Sequence, residues 1–336
     1  MTKTLFGVEL HEYLDAVTVL HEAQSAARLG YDAIWYGDSQ MIWREMYTLM
    51  GATAATTSKV MLGTGVTNPL TRHPAVTASA LLTLQELSGG RVMAGVGVGD
   101  SSLMTMGMSR LTRAQLREFI ATLRTLAAGE PVATPGGEMR VTFGGPGKCP
   151  PILIAGAGPK MLHLAGEVAD GAVVTGIAAP GATADGMLGA VRDGRAQADR
   201  LAEPFTTTMA VAVAVDDDPK RAYAAVRPHV ARSLLGHMWP MDALTKRVSE
   251  QVREEYDFYE HMSPSARHRE IIPDEVVDQF AIAGTADDCL KRCRELFDCG
   301  FDEITVRPYA LGDLSRADMM QRFAVEVMEP FRRLYG

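Results

Sequence analysis

The sequence VMLGTGVTNPLTRHP, from Val60 to Pro74, combines a short apolar run, a glycine-rich break and a helix start. It opens with three consecutive apolar residues, which is typical of a strand buried on both faces of a parallel sheet. Gly63 and Gly65 carry no Cβ, so the backbone there can lie close to a flat or charged group. Pro74 is favoured at a first helical position. The stretch therefore predicts a strand whose carboxyl end, the place where α/β proteins bind ligands, is built from glycine.

The composition fits a globular enzyme without a charged polymer as partner. The chain has 336 residues, of which 47% are apolar, and a net charge of −8 spread along its length. This acidic balance argues against nucleic acid or an anionic membrane as a partner. No apolar run reaches the roughly 18 residues that a spanning helix needs, and the first residues lack the apolar core of a signal peptide. We therefore expect a cytoplasmic protein.

Cysteine usage supports the same compartment. The four cysteines (Cys149, Cys289, Cys293 and Cys299) do not have the number or spacing of a disulfide scaffold. Zinc ligands more often come as close pairs together with histidines, so we expect reduced thiols and no metal site.

Predicted strands and helices alternate along the chain. The strand predictions are Leu5–Glu9, Ala33–Tyr36, Val60–Val66, Val92–Val96, Pro151–Ala155, Ala172–Thr175, Thr207–Val215 and Ile304–Arg307. Eight strand–helix repeats in a chain of this length predict an α/β fold, a (β/α)8 TIM barrel with insertions at about 129–148 and 236–281. A doubly wound sheet also fits the alternation, because alternation does not prove closure. No linker composition divides residues 1–336, which favours one domain.

The predicted carboxyl ends of the strands carry the candidate functional residues. In chain order these are Glu9, Asp38-Ser39, Gly65-Val66-Thr67-Asn68, Gly97-Val98-Gly99-Asp100, Gly156-Ala157-Gly158, Thr175-Gly176 and Arg307. Four of these seven strand ends contain glycine, which indicates close approach of backbone to a sizeable ligand. The turn at Gly156–Gly158 precedes a helix that starts at Pro159, and free N–H groups at such a helix start suit a phosphate. The next strand ends without a carboxylate, so this turn does not fit a dinucleotide-binding fingerprint.

Four motifs give the chain a family resemblance. They are FGVEL (Phe6–Leu10), LGTGVTNPLTRHPAVTA (Leu62–Ala78), SGGRVMAGVGVGD (Ser88–Asp100) and ILIAGAGPKMLHLAGEVADGAVVTG (Ile152–Gly176). With them the chain resembles the bacterial-luciferase-like superfamily, above all its deazaflavin (coenzyme F420)-dependent branch and the methylenetetrahydromethanopterin reductases within it. The resemblance implies a barrel that holds a flavin or deazaflavin at the carboxyl ends of its strands.

The resemblance also implies roles for individual residues. A cis peptide bulge at Gly65-Val66 would support the deazaflavin ring, with Thr67 and Asn68 beside it and Asp38 near the pyrimidine side. The remaining implied cofactor contacts are Gly97 and Asp100 after the fourth strand, the phosphate turn Ala155, Gly156 and Gly158, and Thr175 and Gly176 next to it. Glu9 corresponds to a glutamate near the reacting centre, where a carboxylic acid with a raised pKa could donate a proton. An ordinary strand-end carboxylate is the other interpretation of Glu9.

The resemblance implies an F420-dependent oxidoreductase that moves hydride between the deazaflavin and a carbon or imine centre of a small organic substrate, with Glu9 and Asp38 as catalytic residues. The alternatives are an FMN-dependent luciferase-like monooxygenase and, from another class, a non-catalytic barrel that binds a flavin or a small ligand. The resemblance further implies a homodimer. The methionines Met104, Met106 and Met108 are candidates for an apolar wall of the substrate site.

Overall fold

A computed structural model of the chain describes residues 5–11, 13–236, 239–257, 260, 266–310, 312 and 314–335, with only the backbone at 182 and 183. None of the helices within these ranges is long and apolar enough to cross a membrane.

Eight parallel strands close into a barrel in the described part of the chain. They are β1 (Phe6–Leu10), β2 (Ala33–Tyr36), β3 (Met61–Thr64), β4 (Val92–Val96), β7 (Ile152–Gly156), β8 (Gly171–Thr175), β9 (Thr206–Val215) and β11 (Glu303–Pro308). Closure is visible in the pairing, because β8 pairs with β9, β9 with β11, and β11 with β1. The predicted TIM barrel is therefore confirmed, and the doubly wound sheet is wrong.

Helices surround this barrel. They are α1 (Ala16–Arg28), α2 (Met46–Thr56), α3 (Pro74–Ser88), α4 (Ser101–Thr105), α5 (Arg113–Ala127), α6 (Pro159–Val168), α7 (Ala182–Gln197), α8 (Pro219–Gly236), α9 (Ala243–Glu255), α10 (Asp274–Phe280), α11 (Ala286–Asp298), α12 (Arg316–Phe323) and α13 (Glu329–Tyr335). Local sequence sets several of their ends. In α3, the His73 ring accepts a hydrogen bond from the N–H of Ala75, Pro74 occupies the first turn, and Gly89 ends the helix in the left-handed region at φ 69°. A capping box of Thr285 and Asp288 starts α11.

The barrel interior is filled by a small apolar cluster around Trp35. Its buried members are Ala33, Trp35, Met93, Leu153, Val173 and Ala210. The indole of Trp35 lies across the neighbouring strand β3, where a Cβ on Gly63 would overlap the ring. Its Nε1 donates to Oε1 of Glu303 at 3.0 Å, which satisfies the buried N–H. The glycine in β3 therefore makes room for the largest side chain of the interior, and Trp35 forms part of the floor of the cleft above it.

A second, larger core lies between the barrel and its helices. Phe6 of β1 shows the pattern, because its ring meets those of Phe297, Phe323 and Phe331 edge-on at 5.3–6.0 Å. Such edge-to-face contacts add to the burial of apolar surface. They fix the last helices against the first strand, where the chain closes the ring.

Three parts of the fold differ from the sequence predictions. A further strand, β10 (Ala281–Gly284), pairs with the carboxyl half of β9, which extends beyond the barrel. The sequence analysis did not predict it, because a run of four apolar residues has no periodicity that identifies a strand. The expected hairpin after α5 is formed by β5 (Val132–Thr134) and β6 (Gly137–Met139), earlier than the alternating run at 139–143. The third barrel strand ends at Thr64, before the predicted end at Val66, because the backbone changes direction at Gly65.

Candidate active site

A cavity of about 350 Å³ opens at the carboxyl end of the barrel strands. It is where a barrel of this kind collects its catalytic groups. The predicted site residues that line it are Glu9, Asp38, Gly65, Val66, Gly97, Asp100, Ala155, Gly156, Gly158, Thr175 and Gly176. Strand ends far apart in sequence are thus brought to one cleft.

Thr67 and Asn68 were also predicted to contact the cofactor, but they lie behind the cavity wall. Both are buried. The Thr67 hydroxyl donates to Oδ2 of Asp38 at 3.1 Å. The Asn68 side-chain oxygen accepts from the N–H groups of Leu70 and Thr71 at 3.1 and 3.0 Å. These two residues support the loop instead of lining the cleft.

The loop after β3 projects one side chain into the cleft. The peptide bond between Gly65 and Val66 is cis, as the family resemblance implies. The N–H of Gly65 bonds to the carbonyl of Tyr36 at 2.6 Å, and Thr67 bridges to Val96. A Cβ on Gly97 would lie 2.9 Å from Val66 Cγ2, so the valine packs directly on the backbone of the loop after β4. The result is a closely packed apolar surface on one wall.

Glu9 lies in a buried group of charged and ionisable side chains at the carboxyl ends of β1 and β11. Its Oε2 contacts Nη2 of Arg307 at 2.6 Å, and its Oε1 is 3.1 Å from Nε2 of His11. Burial raises the pKa of Glu9, but the charge of Arg307 and the hydrogen bonds from His11 and Arg307 outweigh it and lower this pKa to about 2. Glu9 is therefore a carboxylate at neutral pH.

This state differs from the raised pKa that a proton-donating Glu9 requires. The missing element in the sequence prediction was Arg307, which was recognised as a strand-end residue but not as a partner of Glu9. Closure of the barrel brings β11 beside β1, with Val8 opposite Val306. Glu9 and Arg307 each follow these valines by one residue, so they lie side by side on the other face of the two strands, where the arginine reaches the glutamate.

His11 completes this group and connects it to an aromatic wall. Its ring stacks on Trp43, with centroids 4.7 Å apart and an interplanar angle of 11°. Burial lowers the pKa of His11, although the neighbouring Glu9 acts in the other direction. A neutral imidazole can accept the proton of a neighbouring carboxylic acid, and the imidazolium that forms can return it.

Asp38 is the second predicted catalytic carboxyl, and its surroundings differ from those of Glu9. Its Oδ2 accepts from Nη1 of Arg72 at 2.6 Å and from Thr67, and its Oδ1 from Gln40. Arg72 also reaches Glu45 at 2.7 Å and lies over the ring of Tyr47. Burial raises the pKa of Asp38 above its usual range, although the bonds from Arg72 and Thr67 favour the carboxylate. Arg72, in the same TRHP run as His73, was not predicted to hold Asp38.

The turn from Gly156 to Gly158 lies at the start of α6. Gly158 is the N-cap and has no side chain that could cap the helix, so the cap is left open to a bound anion. Trp239, from the segment after α8, donates its Nε1–H to the carbonyl of Ala157 at 2.5 Å. Its ring also packs on Gly186, where a Cβ would be 2.9 Å away. Trp239 therefore holds the turn at Gly156–Gly158. Its position in the predicted insertion at about 236–281 gave no indication of this role.

Asp100 lies at the rim of the cleft between two arginines. Its carboxylate contacts Arg110 on one side and Arg232 of α8 on the other. Arg232 and Ser233 bring α8 to the cavity as a further wall, together with His229 one turn earlier. The methionines at 104, 106 and 108, predicted as a substrate wall, do not line this cavity and are partly exposed. The four cysteines are free thiols, as expected.

The sequence is similar to one protein family and to characterised enzymes. Residues 1–303 match the sequence model of a family described as luciferase-like monooxygenase. The 5,10-methylenetetrahydromethanopterin reductase of Methanolobus tindarius is 32% identical over 309 residues, 89% of this chain and 92% of the relative. The F420-dependent glucose-6-phosphate dehydrogenase of Nakamurella multipartita is 33% identical over 229 residues, 63% of this chain and 68% of the relative.

A solved structure agrees in fold. The coenzyme F420-dependent tetrahydromethanopterin reductase of Methanopyrus kandleri superposes with a TM-score of 0.78 at 23% identity, covering 98% of this chain and 100% of the other. At this identity the similarity shows the shared barrel fold.

Proposed function

Since the chain belongs to the luciferase-like monooxygenase family, we propose that it is an F420-dependent oxidoreductase that transfers hydride between the deazaflavin and a carbon or imine centre of a small organic substrate. One observation carries the proposal. A single cleft combines an apolar wall at Val66, an open helix start at Gly158 and the buried pair of Glu9 and Arg307. The first suits a flat ring, the second a phosphate and the third a reacting polar centre.

The residues present fit a deazaflavin nucleotide. The ring would lie against Val66 and Gly97, and the phosphate at Gly156 and Gly158 with Thr175 beside it. A Cβ on Gly156 would lie 2.6 Å from Met161 Cγ, so only glycine fits at this position of the cleft wall. The side chain of Asp38, held by Arg72, supplies a hydrogen-bonding group at the edge of the site.

When bound, F420 supplies the hydride chemistry at C5 of its deazaflavin. The chain then has to hold the substrate and move a proton. The Glu9 carboxylate can accept a proton from a substrate hydroxyl or amine whose carbon gives up hydride. In the opposite direction a protonated Glu9 is needed, which requires that the charge of Arg307 be engaged elsewhere. His11 lies within hydrogen-bonding distance of Glu9 and can exchange that proton with it.

A parallel titration of the apoprotein with F420 and with FMN tests this proposal. We expect saturable binding of F420 and weak or no binding of FMN, with oxygen consumption from reduced FMN no faster than in a control without protein. Tight FMN binding with oxygen consumption, and no F420 binding, would contradict the proposal and favour the monooxygenase alternative. Gly156→Leu serves as the disruptive variant, because its side chain would collide with Met161 and displace the backbone of the phosphate turn; binding that is unchanged in this variant would mean that the cofactor lies elsewhere.

The Glu9→Gln variant separates an enzyme from a barrel that only binds a ligand. It keeps the size of the side chain and removes the proton-accepting group. A large loss of turnover with unchanged F420 affinity supports a catalytic Glu9. Unchanged turnover would remove Glu9 from the mechanism.

We also propose that the chain forms one barrel domain over residues 1–336 and acts as a homodimer in the cytoplasm. The family resemblance supports the dimer, and so does α3, which exposes Val76 and Leu87 at 56% and 54%. Light scattering after size-exclusion chromatography tests the dimer, and a monomer across the working concentration range would contradict it.

A further inference from the structure

Arg316, the first residue of α12, forms a buried ion pair with Glu22 of α1. The two side chains are 4% and 5% exposed. Nε of Arg316 donates to Oε2 of Glu22 at 3.1 Å, and Nη2 donates to the same oxygen. A capping box of Ser315 and Asp318 fixes the start of α12, so the guanidinium extends from a well-defined helix end. The pair therefore ties α12 to α1 in the interior of the protein.

Arg316 makes a third contact, with the main chain at His11. Its Nη1 donates to the carbonyl of His11 at 2.5 Å. The pairing of β1 with its neighbouring strands ends at Leu10, one residue earlier. The guanidinium therefore holds the chain at the point where the sheet no longer does. From this point the His11 ring extends to Glu9, with Nε2 3.1 Å from Oε1, and stacks on Trp43.

Stability alone is a weak reason for this buried ion pair. Replacing such a pair with apolar residues of similar volume is often neutral or stabilising, because two charges no longer have to lose their water. Apolar side chains could not hold the His11 carbonyl, whereas a planar guanidinium serves a carboxylate and a carbonyl at once. Arg316 itself does not line the cleft, but His11 and Glu9 do. Its contact with the cleft therefore runs through His11.

We propose that Arg316, held by Glu22, is a positioning residue of the active site, which fixes the main chain at His11 so that the imidazole stays against Glu9. The proposal rests on the proposed function in one respect, namely that Glu9 and His11 handle the proton that accompanies the hydride. A proton passes between two such groups only within hydrogen-bonding distance. Without Arg316 the chain beyond Leu10 can shift, and the His11 ring moves with it.

Three charged groups act on the protonation of His11, from β1, β11 and α12. Burial lowers the pKa of His11, the neighbouring Glu9 raises it, and the charges of Arg307 and Arg316 lower it. Removing Arg316 changes a charge and a position together, so the pKa of His11 alone does not separate the two effects. The response of this pKa to the loss of Glu9 does, because it depends on the distance between the two side chains.

An NMR titration of the His11 imidazole in the apoprotein, assigned with His11→Gln, measures this response. In the wild type, Glu9→Gln should lower the pKa of His11, because the carboxylate that raises it is lost. In Arg316→Met with Glu22→Leu, which leaves no buried charge unpaired, Glu9→Gln should lower this pKa by less than half as much. Arg316→Lys is the second variant, since an ammonium keeps a charge for Glu22 but lacks the fork that also holds the carbonyl. It should reduce the response in the same way.

Arg322→Met with Glu326→Leu is the matched control, because it removes another ion pair that starts on α12 and has no contact with His11. Its response to Glu9→Gln should equal that of the wild type. Thermal melting of each variant checks that it folds, and F420 affinity should stay unchanged, since neither arginine lines the cleft. A response that keeps its wild-type size in either Arg316 variant would overturn the proposal.

The two proposals fail separately, because the titration of His11 needs no cofactor. F420 binding together with a response of wild-type size in an Arg316 variant rejects the positioning role and leaves the cofactor assignment intact. A response that falls in both Arg316 variants of a protein that does not bind F420 rejects the cofactor assignment and leaves the positioning of His11 intact.

Discussion

Replacing Arg307 with methionine tests the electrostatics of the site most sharply. The variant keeps most of the apolar stem and removes the charge that holds Glu9 ionised. Lowering the pKa of a buried carboxyl from 4.5 to about 2 corresponds to roughly 3 kcal/mol of folding free energy at neutral pH. Because this pKa is depressed in the folded protein, the stabilisation is fully present above about pH 4.5 and is lost as the pH falls toward about 2. Breaking a buried pair leaves an uncompensated charge, so we expect a loss of about 3–5 kcal/mol at neutral pH.

The pH dependence distinguishes this cause from a simple packing defect. Without Arg307, burial dominates and raises the pKa of Glu9, so the variant gains a proton on Glu9 as the pH is lowered. The difference in the free energy of unfolding between wild type and Arg307→Met should therefore shrink from about pH 8 to about pH 5. Adding Glu9→Gln to the variant should recover much of the loss, because a neutral amide has no charge to bury.

Urea unfolding at several pH values measures these differences. Arg294→Met is the control, because Arg294 and its partner Asp298 are 56% and 70% exposed and such pairs contribute little. A stability gap for Arg307→Met that stays constant with pH, or that Glu9→Gln does not reduce, would refute the assignment of the low Glu9 pKa to Arg307.

Three further predictions concern Trp35 at the floor of the cleft, the Asp38–Arg72 pair at its edge, and the phosphate turn at Gly156–Gly158. Gly63→Ala should lower the free energy of unfolding by about 1–3 kcal/mol in urea titrations, since its Cβ would overlap Trp35. The control Gly51→Ala, in α2 with its nearest neighbour 4.0 Å away, should raise the free energy of unfolding by about 0.5–1 kcal/mol. Equal effects of the two substitutions would contradict the close packing of Gly63 on Trp35. Arg72→Met should raise the pKa of Asp38 further, because Arg72 is the partner that most strongly lowers this pKa against the effect of burial. The affinity for F420 should then become pH-dependent at higher pH than in wild type. An unchanged pH profile of F420 affinity would count against Arg72 as a positioning residue. Trp239→Phe removes the hydrogen bond from the indole N–H to the Ala157 carbonyl. It should weaken F420 binding about five- to tenfold in fluorescence titrations, with little change in the unfolding midpoint. Unaltered F420 affinity would mean that the turn at Gly156–Gly158 keeps its shape without this hydrogen bond.

Local chemistry explains which features the sequence could predict. The run from Val60 to Pro74 has its strand, its glycines and its helix start within 15 residues, so its structure follows from neighbouring side chains and from His73 and Pro74 at the cap. The same holds for the order of strand ends, which brings most predicted residues to one cleft. Alternation alone did not prove closure, which depends on the pairing of β8, β9, β11 and β1.

The sequence could not predict which long side chains form ion pairs and hydrogen bonds with each other. Glu9 could be placed at a strand end, but its protonation depends on Arg307, which reaches it only after the barrel closes. Arg72 and Trp239 act in the same way on Asp38 and on the Ala157 turn. Thr67 and Asn68 follow the bulge in sequence, yet their side chains turn away from the cleft to hold the loop, which no periodic pattern predicts.

A crystal structure of the protein soaked with F420 tests the central claim most directly. We expect a deazaflavin ring against Val66 and Gly97, a phosphate at Gly156–Gly158, and the reacting face turned toward Glu9 and Arg307. A cofactor bound outside this cleft, or a phosphate held away from the start of α6 with the ring on the opposite wall, would contradict it.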